Sequence, residues 1–138
     1  MPVVEELICT EQDGTISFGN YKLGQKAKKS DFEYEGDIYK VKTYNEITKL
    51  ERNDMFVYES VPGTAVEHFK ITDDDVEFTV EGPKDAQITI QMENDTIYEV
   101  YVDGSAAGGM KTNMSGKLSV SVELEEGVAV KVQAVKRA

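Results

Sequence analysis

The chain has 138 residues, of which 40% are hydrophobic and 30% are charged, and these proportions are typical of a folded globular protein rather than a disordered one. The 26 acidic residues outnumber the 15 basic ones, so the net charge is −11 at pH 7. A surface of this sign repels phosphate backbones and anionic lipids, which argues against nucleic acid and membranes as partners.

The N-terminal segment and the cysteine content bear on the compartment. Cys9 is the single cysteine, so an internal disulfide is excluded and a reducing environment is favoured. The first residues lack the basic start and the long apolar core of a signal peptide. We therefore expect a cytoplasmic location.

Short strands joined by turns are predicted for the first half of the chain. Residues 7–10 and 15–18 flank an Asp-Gly pair, which favours a hairpin. We expect residues 25–31, which are polar and basic, to form an exposed loop. Segments rich in β-branched and aromatic residues predict three further strands, at residues 38–44, 46–50 and 55–58.

In the second half, apolar and polar residues alternate with a period of two. This pattern is typical of half-buried antiparallel strands, and no stretch offers the three- and four-residue spacing of a helix. Small residues at 105–109 predict a loop tip. The predicted strands are residues 64–71, 76–80, 86–92, 98–102, 118–124 and 128–134.

These patterns predict an all-β protein. We expect an antiparallel β-sandwich, like a fibronectin type III or immunoglobulin domain, in the C-terminal half and a smaller β-rich lobe before it. The Val-Pro-Gly run at residues 61–63 is the strongest break in the chain. It places the boundary between residues 1–62 and residues 63–138, with one continuous domain as the alternative.

Few side chains are candidates for chemistry. His68 has no second histidine at metal-ligand spacing, so a surface or packing role is favoured over a base or a zinc ligand. Cys9 lies among apolar neighbours and is interpreted as a buried strand residue rather than a nucleophile. The three aspartates at 73–75 are interpreted as a solvated turn, because the spacing of a calcium loop is missing.

Surface recognition by aromatic residues is the remaining candidate site. Tyr101 has the opposite parity to Tyr98 in its strand, so it should face outward beside Ile97. An outward aromatic side chain on a sheet can stack on a sugar ring or on a partner. The candidate recognition residues are therefore Tyr98, Tyr101 and Ile97.

A further observation concerns five segments, residues 14–21, 46–51, 55–64, 111–113 and 115–120. In these segments the sequence resembles a family of short proteins from clostridial and related bacteria that commonly bear the label endosialidase. The resemblance implies a glycan-related role and brings no catalytic residues with it. Sialidases hold the substrate carboxylate with a cluster of arginines, whereas this chain has only Arg52 and Arg137.

Taken together, these residues favour a protein without catalytic residues, cofactor or metal. The preferred function is a non-catalytic interaction or assembly module, in which a protein partner or a second copy of the chain covers a strand edge. The alternatives are a carbohydrate-binding or carbohydrate-processing module and a structural domain of a phage tail.

Overall fold

The computed structural model describes residues 3–72 and 74–137. Thirteen strands form in this part of the chain, and no helix does. The strands are β1 (Ile8–Thr10), β2 (Ile16–Phe18), β3 (Ala27–Tyr34), β4 (Asp37–Thr43), β5 (Thr48–Arg52), β6 (Met55–Val61), β7 (Ala65–Ile71), β8 (Asp75–Glu81), β9 (Ala86–Gln91), β10 (Ile97–Val102), β11 (Ser105–Lys111), β12 (Lys117–Val122) and β13 (Val130–Lys136).

The strands form two antiparallel sheets that pack face to face, so the prediction of an all-β sandwich is confirmed. The seven-stranded sheet has the order β1-β2-β7-β8-β13-β10-β11, and the six-stranded sheet has the order β12-β9-β6-β5-β4-β3. Alternate side chains of both sheets point inward and form one hydrophobic core.

The sandwich extends over both halves of the chain. The boundary placed between residues 62 and 63 falls between β6 and β7, which lie in different sheets. Across it, β2 pairs with β7 and β6 pairs with β9. Both halves contribute side chains to the same core.

Two segments predicted as loops are strands, so those two predictions were wrong. Residues 25–31 largely belong to β3, and residues 105–109 belong to β11. Each is the last strand of its sheet, paired on one side only, with β4 and β10 respectively. Because an edge strand is widely exposed to water, it does not need the apolar alternation by which strands are recognised in a sequence.

A polar network crosses the core where β6 leads into β7. The Thr48 hydroxyl donates to the Thr64 carbonyl oxygen (2.9 Å) and accepts from the Thr64 amide (3.0 Å). Since its one proton is used there, Thr48 accepts from the Thr43 hydroxyl at 2.7 Å. The Thr64 hydroxyl in turn lies 2.8 Å from both the Tyr58 and the Ser60 hydroxyls. This buried network connects strands β4, β5 and β6 of the six-stranded sheet with the segment that leads into β7 of the seven-stranded sheet.

Candidate functional site

A distorted segment of β7 presents the single histidine to solvent. The register between β7 and β8 shifts between Glu67 and Lys70, and His68 has a positive φ of 54°. A residue other than glycine is strained in that region. Bulges of this kind bend a strand and redirect its side chains. Here the bulge directs the His68 side chain toward the β1–β2 hairpin, where Asp13 lies.

The hydrogen bonds of His68 determine which ring nitrogen carries the proton. Nδ1 lies 2.9 Å from Asp13 Oδ2 and 3.2 Å from Thr15 Oγ1. The Thr15 hydroxyl already donates its proton to Asp13 Oδ1, and an ionised carboxylate only accepts. Both neighbours of Nδ1 are therefore acceptors, so Nδ1 donates and the lone pair of the neutral ring is on Nε2.

Asp13 is held in its ionised form. Hydrogen bonds from the Thr15 hydroxyl and backbone amide, followed by the contact with His68, lower the pKa of Asp13. Bonds that favour the charged form of a carboxyl group have this effect. The Asp13 carboxylate is thus available as an acceptor that orients the imidazole.

Two glutamates complete the cluster around His68. The buried Ser17 hydroxyl donates to Glu11 Oε2 at 2.5 Å and accepts from the backbone amide of His68 at 3.1 Å. Glu11, Glu67 and His68 each offer a ligand atom, and the three atoms lie within 4.8 Å of one another. The Ser17 hydroxyl is not bonded to the imidazole, so the arrangement is not that of an activated serine nucleophile. Its chemistry is that of two carboxylates and an imidazole at the surface.

A cleft of about 340 Å³ lies beside this cluster and shares Asp13 and Thr15 with it. Tyr34 and Tyr39 form part of its wall, with ring centroids 5.8 Å apart in an edge-to-face arrangement. Arg52 lines the same cleft. Burial raises the pKa of Tyr39, and the Arg52 guanidinium partly opposes that rise. The cleft therefore combines aromatic surface with polar groups of both charges.

One of the two tyrosines of β10 is placed differently from the prediction. Tyr98 is fully buried, and its hydroxyl accepts a hydrogen bond from the Glu93 amide at 3.1 Å. Its inclusion among the surface recognition residues was wrong, because it belongs to the inward-facing set of its strand. Ile97 is 36% exposed, and Tyr101 is half-buried. Neither lines the cleft that contains Tyr34 and Tyr39.

Cys9 lies in β1, and Asp74 and Asp75 lie where the chain enters β8. Cys9 is half-buried, and burial, together with Glu11 and Glu6, raises the pKa of its thiol, which disfavours the reactive thiolate. Asp73 lies outside the described residues. Asp75 Oδ1 accepts a hydrogen bond from the Thr72 hydroxyl at 2.7 Å within the turn that leads into β8.

The two sides of the sandwich differ in how their strand edges are covered. On one side, the edge strands β1 and β3 of the two sheets contact each other. On the other side lie β11 of the seven-stranded sheet and β12 of the six-stranded sheet. Sheet edges carry backbone groups without a strand partner, so this second side is the open side of the sandwich.

A row of lysines crosses the solvent-facing side of the six-stranded sheet. Lys28, Lys42 and Lys49 lie directly opposite one another on β3, β4 and β5. Lys40 and Lys49 share a single carboxylate, that of Glu51, at 3.3 and 3.7 Å. This face is locally basic although the chain as a whole is acidic.

No family model, curated protein or solved structure matches this chain. Within residues 3–72 and 74–137, no helix has the length and apolar character needed to cross a membrane.

Proposed function

We propose that this protein is a non-catalytic assembly module in which two copies pair through strand β12. The observation that carries the proposal is the row of outward-facing backbone groups on β12, at Ser119 and Ser121. Both residues are exposed.

The direction of these groups follows from the pairing of β12 with β9. The Met92 amide donates to the Gly116 carbonyl, so Gly116 directs its carbonyl toward β9. Directions alternate along an antiparallel strand, and Lys117 indeed bonds away from β9, with Asn113. By the same alternation, the backbone amides and carbonyls of Ser119 and Ser121 point away from β9. Among the described residues, no backbone group outside the strands forms a hydrogen bond with the backbone of Ser119 or Ser121.

The other outermost strands are less suited to pairing. β3 carries Lys28 and Lys29 and has a register shift against β4, and charged side chains and bulges are the usual means of blocking an edge. β11 has a register shift against β10, and β1 has only 3 residues. The six residues of β12 pair with β9 without any shift. β12 is therefore the most regularly paired of the longer edge strands, and the one best suited to a second copy.

Charge complementarity favours a second copy in one particular register. If two β12 strands pair antiparallel about a two-fold axis at Val120, Ser119 lies opposite Ser121 of the second copy, and these pairs would exchange about four backbone hydrogen bonds. In that register Lys117 lies opposite Glu123 of the second copy, and the exposed Glu123 side chain can form an ion pair there. Val120, buried beneath the strand, extends the core across the axis.

Sedimentation at several protein concentrations tests this proposal. We expect a reversible dimer that strengthens as salt screens the repulsion between two chains of charge −11. Ser119→Pro removes an outward amide and should give a monomer, whereas Ser119→Ala retains the amide and should still dimerise. The unfolding midpoint of each variant shows whether the monomer is folded.

A charge exchange tests the register itself. Lys117→Glu should weaken the dimer because it places two glutamates opposite each other, and the double variant with Glu123→Lys should restore it. A wild-type monomer at all concentrations, or a dimer that Ser119→Pro leaves unchanged, would overturn the proposal.

The cleft beside His68 favours a second candidate function, the binding of a carbohydrate. The specific observation is the half-buried Tyr34, which packs edge to face on the buried Tyr39, in one wall together with Asp37 and Arg52. Aromatic faces stack on sugar rings, and charged groups bond their hydroxyls. A glycan panel and quenching of tyrosine fluorescence test it, with Tyr34→Ala as the variant and Tyr101→Ala as the control outside the cleft. No response across the panel would remove this candidate.

A further inference from the structure

We propose that Glu11, Glu67 and His68 bind a divalent transition-metal ion, with Zn²⁺ as the representative ion. The three side chains come from two separate parts of the chain, and one ligand atom of each lies within 4.8 Å of the other two. This site is independent of the β12 edge proposed above as an assembly surface.

The bulge in β7 brings two of the three ligands together. In a regular strand, adjacent residues point to opposite faces of the sheet, so Glu67 and His68 could not share an ion. The register shift after Glu67 and the positive φ of His68 interrupt that alternation. A strained backbone that unites two ligands is the kind of feature that persists at binding sites.

Asp13 prepares the imidazole for a metal. Because Nδ1 donates to Asp13 and to Thr15, the neutral ring has its lone pair on Nε2, and that nitrogen can bind a metal. Histidine ligands in metal sites commonly donate their second nitrogen to a carboxylate in this way. Asp13 would therefore act as a positioning residue and not as a ligand.

Glu11 is held in a similar manner. The fully buried Ser17 hydroxyl donates to Glu11 Oε2, which orients the carboxylate while leaving its other oxygen available. Outer hydrogen bonds of this type fix the direction of a ligating carboxylate. Two of the three ligands are thus oriented by a hydrogen-bonded neighbour: Asp13 orients His68, and Ser17 orients Glu11.

The ligand types select the class of ion. Imidazole suits zinc and other first-row transition metals, whereas Ca²⁺ and Mg²⁺ prefer oxygen alone. Two carboxylates and one neutral imidazole give a set of three protein ligands, which leaves a position for water. The overall charge of −11 also attracts cations to the surface.

The experiment uses tag-free, full-length protein and Zn²⁺ alone as the probe. Because His68 is the single histidine, imidazole ¹⁵N signals in an NMR spectrum arise from one residue and need no assignment. We expect Zn²⁺ to shift the Nε2 signal while Nδ1 stays protonated, and calorimetry to give one site. Excess Mg²⁺ should not displace the ion.

Matched variants identify the ligands. His68→Gln and Glu67→Gln should each weaken binding by roughly tenfold or more, and Asp13→Asn should weaken it by a similar factor because it removes the orienting carboxylate. Glu77→Gln, on the neighbouring strand but outside the cluster, is the control and should bind as the wild type does. Urea unfolding midpoints show whether each variant is folded.

Cys9→Ser tests whether the Cys9 thiolate binds the zinc, since Cys9 lies opposite Ser17 on the adjacent strand. Zinc binding that survives His68→Gln, or that disappears in Cys9→Ser, would overturn the proposal. So would an Nε2 signal that does not move at saturating Zn²⁺. Binding retained in Cys9→Ser and lost in His68→Gln would support it.

Discussion

Lys42 on β4 lies directly opposite Lys49 on β5, on the solvent-facing side of the six-stranded sheet. Lys28 lies opposite Lys42 on its other side. Partial burial and the neighbouring positive charges of Lys26, Lys49 and Lys28 lower the pKa of Lys42. Like charges directly opposite each other destabilise a sheet, so the Lys42 ammonium is held in an unfavourable position.

Replacing Lys42 should therefore stabilise the protein. We expect Lys42→Gln to raise the free energy of unfolding by roughly 0.2–1 kcal/mol, with a smaller gain at high salt, because repulsion between exposed charges is screened. Lys40→Gln on the same face is the control: it loses the contact with Glu51 and should give no gain. Urea unfolding at low and high salt measures both, and a loss of stability in Lys42→Gln would contradict this account.

Thr48 connects the two sheets through hydrogen bonds to both backbone groups of Thr64. Thr48→Val has nearly the same shape but leaves a buried amide and a buried carbonyl without partners. We expect it to lower the free energy of unfolding by roughly 2 kcal/mol or more. Thr89→Val, on the outward face of β9, should change it by less than about 0.5 kcal/mol. Urea unfolding compares the two, and equal effects would argue against the importance of the network.

Gly19 is required where the chain leaves β2. Its φ is +99°, and a Cβ atom there would lie 2.5 Å from the Thr64 carbonyl oxygen. Gly19→Ala should lower the free energy of unfolding by about 1–3 kcal/mol, the range for a strained backbone position. Gly24→Ala, which meets nothing within 4 Å, should be close to neutral or slightly stabilising. Thermal or urea unfolding distinguishes them, and a neutral Gly19→Ala would count against the close approach.

The buried tyrosines make stability sensitive to alkaline pH. Burial, followed by the bond to Glu81, raises the pKa of Tyr21, and burial raises the pKa of Tyr58. The folded protein then keeps protons that the unfolded chain releases above about pH 10. Stability is therefore full below that pH and falls as the pH rises through the folded pKa.

The same linkage predicts how a substitution at Tyr21 behaves. Tyr21→Phe should lower stability at neutral pH, since Glu81 loses its donor at 2.6 Å, and should make the alkaline decline shallower. Urea unfolding between neutral pH and about pH 11 tests both effects. Tyr101→Phe, whose side chain is half-buried on the outer face, serves as the control. An alkaline decline that Tyr21→Phe leaves unchanged would contradict this assignment.

The sequence alone determined the class of the fold and most of the central strands. Residues 76–80, 86–92 and 98–102 alternate strictly because one face of each strand is buried and the other meets water. The edge strands β3 and β11 could not be recognised in this way, because water reaches them widely and their composition is that of a loop. The order of the strands could not be predicted either, because pairs such as β2 and β7 join segments that are far apart in the chain.

Only the tertiary structure decided the candidate site. The sequence shows that His68 is the single histidine, but its partner Asp13 is 55 residues away in the chain, and no local pattern predicts that contact. The bulge that places His68 beside Glu67 arises from the register of β7 against its neighbours, and register is a property of pairing between distant segments. Local alternation records which side chains are buried, whereas proximity between distant residues arises only when the two sheets assemble around their common core.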